Sequence, residues 1–146
     1  MKWLLALLLA GSAHAQTLHY LGQQIVPTGT SFRNVPVGGL SSIDYVPATG
    51  RYLAISDDRS DRGPARFYEL TLDLGKFRRS PEPGQAGVTV VDMTPILDND
   101  GQPFGRNQVD PESLRLDAKR GLIYWSNEGQ RSSSGMQNPT VRRMQP

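Results

Sequence analysis

The chain has 146 residues, 37% of them hydrophobic, and carries 16 Lys and Arg against 14 Asp and Glu for a net charge of +2. That length makes one domain, and the charge balance excludes the dense cationic face that nucleic acid requires, since Arg78-Arg79 and Arg142-Arg143 are only pairs. Cysteine is absent, which rules out disulfides and thiolate metal sites.

The N-terminus opens with Met1-Lys2, runs through the apolar stretch Trp3 to Ala10, breaks at Gly11-Ser12 and ends in Ala13-His14-Ala15. A basic residue, an apolar run and small residues at the cleavage positions have the order of a secretory signal. The run is far below the ~20 residues that span a bilayer. Residues 1–15 are therefore expected as a cleaved signal-peptide helix, with residues 16–146 as the exported domain. No cysteine follows for a lipid anchor and no second apolar run occurs downstream. The expected location is the periplasm or the medium, with no stable membrane anchor after cleavage.

Downstream, apolar residues nowhere recur at helical spacing over three turns. Short runs between turn signals dominate instead, and this predicts strands. Leu18 to Val26 is the first, closed by Pro27. Leu40 to Val46 and Arg51 to Ser56 flank the turn Pro47-Ala48-Thr49-Gly50. In Ala65 to Leu74, the residues Tyr68, Leu70, Leu72 and Leu74 share one face against Glu69, Thr71 and Asp73, the alternation of a half-buried antiparallel strand. Residues 78–87 hold two prolines and two glycines and read as an exposed loop. Val88 to Met93 is the next strand. Ser113 to Leu116 and Leu122 to Ser126 flank a turn at Asp117–Gly121, and the all-apolar Leu122-Ile123-Tyr124-Trp125 predicts a central strand covered on both faces.

Two of these hairpins repeat. Ser42 to Asp58 and Ser113 to Glu128 each read strand, glycine turn, strand, then Ser followed by acidic or amide residues, about 70 positions apart. Aligning the serines matches Ser56-Asp57-Asp58 with Ser126-Asn127-Glu128 across a one-residue gap. One four-stranded unit per repeat is the plan of a propeller. The expected fold is all-β: a partial β-propeller-like array of antiparallel sheets, about two blades, preceded by the signal helix.

Five stretches then resemble the phytase-like family, also described by an esterase-like activity of phytase. They are Gly38-Gly39-Leu40-Ser41-Ser42-Ile43-Asp44-Tyr45, Gly50 to Arg59, Pro64-Ala65-Arg66-Phe67-Tyr68, Val109-Asp110-Pro111-Glu112-Ser113 and Tyr124-Trp125-Ser126-Asn127-Glu128-Gly129. The resemblance implies an exported propeller-like domain that hydrolyses phosphate or other esters. The family's domains are longer, so residues 16–146 are expected as the N-terminal part of one, from a truncated or interrupted gene.

Chemistry is expected at the acidic strand ends. Asp57, Asp58, Asp110, Glu112 and Glu128 fall at corresponding places in the two repeats. Carboxylates brought together repel unless a cation joins them, and hard oxygen ligands suit calcium or magnesium, with calcium the expected cofactor. Such an ion can hold and polarise a phosphate. The competing role for these acids is to cap turns or pair with Arg59, Arg62 and Arg131. Arg59 and Arg66 are candidates to grip a small phosphorylated or ester substrate through the guanidinium fork, with surface ion pairing as their alternative. Asp98-Asn99-Asp100-Gly101 lacks the remaining ligands of a calcium loop and reads as a turn. After the signal the chain holds one histidine, His19, and no Gly-x-Ser-x-Gly elbow, so a Ser-His-Asp hydrolase has little support. Two functions stand: a metal-assisted ester or phosphoester hydrolase, and a non-catalytic propeller module of the cell envelope that binds a ligand.

Overall fold

The computed structural model describes residues 17–79, 87–132 and 135–145. The expected signal helix, and residues 80–86 of the expected 78–87 loop, lie outside the described residues. A small hairpin comes first, β1 (Ser31–Phe32) and β2 (Val35–Pro36). It turns through Arg33 and Asn34, both at positive φ of 50° and 66°, the backbone that matches strand twist in a two-residue turn.

β3 (Leu40–Val46), β4 (Arg51–Ser56), β5 (Arg66–Leu72) and β6 (Val88–Pro95) follow as a four-stranded antiparallel sheet in sequence order. β7 (Pro111–Asp117) and β8 (Leu122–Asn127) begin a second sheet. After the short hairpin β9 (Gln130–Ser132) and β10 (Gly135–Gln137), the chain returns as β11 (Thr140–Met144) on the free side of β8. The fold is thus all-β, built of open antiparallel sheets.

The two larger sheets bury a shared core. Leu53, Ile55 and Phe67 from the first meet Leu114, Ile123 and Trp125 from the second, with Ile96, Phe104 and Val109 filling between them. Ile55, Leu114 and Ile123 are fully buried, and each such side chain contributes about 1.5–3 kcal/mol. The opposite face of the first sheet, through Ala54, Tyr68 and Leu70, packs against Val37, Val26 and Phe32 of the N-terminal segment. β3 and β7 lie side by side without a ladder. Side chains of β3 substitute for one: Asp44 Oδ2 accepts from Leu116 N at 2.7 Å and Ser42 Oγ from Leu114 N at 3.3 Å, so edge N–H groups of β7 do not go unpaired.

The hairpins β3–β4 and β7–β8 have the same register. Leu40 faces Ser56 and Val46 faces Arg51; Pro111 faces Asn127 and Asp117 faces Leu122, a constant shift of 71 positions (40 to 111, 56 to 127). Each carries a bulge at the same place, skipping Ser41 in one and Glu112 in the other. The capping bond repeats too: Asp57 N donates to Gly39 O at 2.8 Å, and Glu128 N to Asp110 O at 2.9 Å.

This register corrects the repeat alignment. No gap is needed: Ser56 corresponds to Asn127 and Asp57, not Asp58, to Glu128. The serines match by identity, but cross-strand pairing decides equivalence. The expected strand Leu18–Val26 is also absent; only Gln23 bridges, to Arg78. Its apolar residues fall on no common face, and Leu18 and Leu21 are 94% and 82% exposed. β5 ends at Leu72 because Asp73 caps a short 3-10 turn, Leu74–Lys76, on which Leu74 is exposed. The expected central strand Leu122–Ser126 is central, between β7 and β11. Ile123 and Trp125 are buried on one face, while Leu122 and Tyr124 are half-covered on the other.

Candidate functional site

The site grows from the paired ends of β7 and β8. Asp110 immediately precedes β7, and its N–H donates to the buried Asn127 Oδ1 at 2.6 Å. With the bond from Glu128 N to Asp110 O, this clamps both strand ends together. Glu112 is the residue skipped by the bulge, a distortion that re-aims a side chain. As a result Asp110, Glu112 and Glu128 each place a carboxylate oxygen within 4.8 Å of the others. Asp110 is buried at 3% exposure, Glu112 is half-buried and Glu128 is exposed, so the cluster opens from the hairpin base toward solvent.

The charges in the cluster oppose one another. Burial of Glu112 pushes its carboxyl above the usual carboxylate range, and the charges of Asp110, Glu128 and Asp57 add to that rise, as does a hydrogen bond with Glu128. Asp110 Oδ2 is buried, and its partner among the described residues is Nη2 of Arg59, which it meets in an ion pair. Arg59 also donates from Nη1 to Gln130 Oε1 at 3.3 Å. An all-oxygen donor set whose charges repel one another fits a hard divalent cation.

Asp58 is placed elsewhere. Its Oδ1 accepts from Asp61 N at 2.8 Å and its Oδ2 takes Arg66 Nη1 at 2.7 Å. Arg66, 1% exposed, also donates from Nε to Tyr68 Oη at 2.5 Å, from Nη2 to Pro36 O at 2.9 Å and from Nη1 to Pro64 O at 3.0 Å. Four donor contacts inside the protein make this arginine a tie between β5 and the N-terminal segment, where the sequence offered a substrate grip. Burial pushes Asp58 up, but the Arg66 hydrogen bond, the N–H groups of Asp61 and Arg62 and the Arg66 charge outweigh it, for a net fall below the ordinary value.

Asp57 stands between the two arrangements. Its charge reaches Glu112, and it lines a cleft of about 350 Å³ with Val37, Gly38, Gly39, Arg62 and Arg66. Gly39 takes the place that Asp110 has in the second hairpin. At φ +59° a Cβ there would sit 1.9 Å from Asp57 Oδ1, and Ser41 stands in the place of Glu112, so the first hairpin holds one acid where the second holds three. Asp98 Oδ1 accepts from the N–H groups of Asp100 and Gln102, both at 2.9 Å, as a turn cap.

Of the seven residues singled out from sequence, the structure therefore joins Asp110, Glu112, Glu128 and Arg59, sets Asp57 nearby, and ties Asp58 to Arg66. Asn127, Tyr68 and Gly39 were not among them. The constant shift of 71 positions would have pointed to Gly39 and Asn127; nothing local points to Tyr68.

Residues 35–146 match the family model "Phytase-like: Esterase-like activity of phytase". No curated protein and no solved structure matches the chain.

Proposed function

The chain belongs to the phytase-like family, and from that premise we propose that it is an exported hydrolase of phosphate or other esters that works with a hard divalent cation, calcium first among them. The convergence of Asp110, Glu112 and Glu128 within 4.8 Å carries this reading. Asp110 is the buried anchor, with its backbone fixed by Asn127 and Glu128. Glu112 and Glu128 complete the donor set from the solvent side. A bound cation of this class supplies charge to polarise a phosphoryl or ester oxygen. Without a cation Glu112 is held above the usual range by burial and by the neighbouring carboxylates, and a bound cation would reverse that rise and keep it ionised as a ligand. The two sheets are read as successive propeller blades, because their first hairpins share register, bulge and cap. Residues 1–15 remain the proposed export signal, with the mature domain from Gln16 in the periplasm or medium.

The test is release of phosphate from phytate and of p-nitrophenol from simple esters by the full chain, with calcium and with a chelator. Turnover that requires calcium and falls at least about 100-fold in Asp110→Asn and Glu128→Gln is expected. Turnover indifferent to chelator and to both substitutions would refute the metal-assisted reading. Calcium binding with no turnover on any ester would favour the non-catalytic binding module.

A further inference from the structure

We propose that Arg59 is a resident counter-ion that neutralises Asp110 until a divalent cation displaces it, so that cation entry frees the guanidinium to receive an anionic substrate. This rests on the cation centre proposed above and concerns how that centre is regulated.

A carboxylate as buried as Asp110, whose side chain is 4% exposed, needs a compensating charge. Arg59 supplies it from the solvent side, with its own side chain 44% exposed. The contrast with Arg66 is instructive. Arg66 has a side chain 2% exposed and four donor contacts, so it has no way out. Among the described residues Arg59 has a single further side-chain hydrogen bond, the 3.3 Å bond to Gln130. Its main chain is nevertheless held, since Arg59 O accepts from Asn107 N at 2.8 Å. A fixed backbone with a loosely held, half-exposed head lets the guanidinium withdraw without losing much hydration of its own.

Arg59 Nη2 and a divalent cation would compete for the Asp110 carboxylate. Two cations at contact distance in a partly buried site repel strongly, so occupancy by one weakens the other. The displaced guanidinium stays tethered beside the centre. Its planar fork suits the paired oxygens of a phosphate or carboxylate. One residue thus answers both needs, charge balance without the ion and anion capture with it.

Calorimetric titration of the full chain with calcium tests this. Arg59→Gln is expected to bind calcium about tenfold more tightly than the parent, because the competing charge is gone. Arg59→Lys, which keeps the charge, should stay within about threefold of the parent. With calcium bound, Arg59→Gln should lose about tenfold in affinity for phenyl phosphate. A purely structural role predicts the opposite for calcium, since disorder at Asp110 would weaken binding. Equal or weaker calcium binding by Arg59→Gln overturns the proposal while leaving the cation centre standing. No calcium binding by parent or variant overturns both, and binding by the variant alone supports the displacement. If Arg59→Gln does not fold without calcium, Gln130→Ala keeps both charges and loosens the guanidinium; a rise of about twofold in calcium affinity is then expected, and no rise overturns the idea.

Discussion

Replacing Arg66 by Met removes the guanidinium from a pocket it fills at 1% exposure. The change leaves Asp58, whose side chain is 10% exposed, without its cation. It also strips a hydrogen-bond donor from Pro36 O, Pro64 O and Tyr68 Oη. Breaking a buried pair from one side costs about 3–5 kcal/mol, a large part of the roughly 5–15 kcal/mol that holds a domain together. At this chain length the melting temperature should fall by roughly 10–20 °C. Asp58→Asn strands the arginine instead, and combining the two substitutions should recover about 1.5–3 kcal/mol of the summed losses. The pH dependence identifies the cause. Asp58 titrates below its ordinary value in the folded state, so the pair stabilises above the unfolded pKa of ~3.9 and is lost as pH falls through the folded value. The deficit of Arg66→Met should therefore be full at neutral pH and shrink as pH drops below about 4. Urea unfolding followed by far-UV circular dichroism and by Trp125 fluorescence reads both quantities. A deficit under about 1 kcal/mol, or one that does not change with acid, would refute a buried ion pair as the tie.

Calcium at 100 times its dissociation constant should stabilise the parent by about 2.7 kcal/mol in a thermal melt, and Asp110→Asn should erase that gain. Glu112→Gln should raise the melting temperature in chelator at pH 7 by about 1–3 °C. Glu112 titrates above its ordinary value when folded, so its ionised form costs stability above that pH and nothing below the unfolded pKa; the gain should vanish in acid. Gly39→Ala should cost more than Gly50→Ala: both sit at positive φ, +59° and +68°, worth about 1–3 kcal/mol for a side chain, but only at Gly39 does the Cβ meet another residue, Asp57. The two melts compare them. Mass spectrometry of exported protein should find Gln16 at its N-terminus, and Met1 there would sink the signal reading.

Local pattern was enough for the main strands. Alternation in Tyr68-Glu69-Leu70-Thr71-Leu72, and the Gly50 and Gly121 turns, placed β3 and β4 at their observed bounds and β5 to β8 with ends within two residues. These elements were legible because side chains alternate between faces whatever the partner. The hairpins β1–β2 and β9–β10 escaped notice because two or three residues carry no period, and the first depends on positive φ at Arg33 and Asn34. At the other end of the chain, Thr140–Met144 pairs with β8 as the third strand of the second sheet.

The candidate site divides the same way. That acids gather at the hairpin ends, and that the chain belongs with phytase-like proteins, was written in the residues themselves, since both depend on residue type and spacing. Which acids meet was not. Asp58 and Asp57 are neighbours in sequence, but Asp58 joins a buried arginine whose other partners, Tyr68 and Pro36, come from elsewhere in the chain. Glu112 and Glu128 meet Asp110 only because a bulge at Glu112 and the pairing of Pro111 with Asn127 set the register. Charge and burial act through space, and the distances that decide which carboxylates meet one another and which pair with arginine exist only once the sheets have packed.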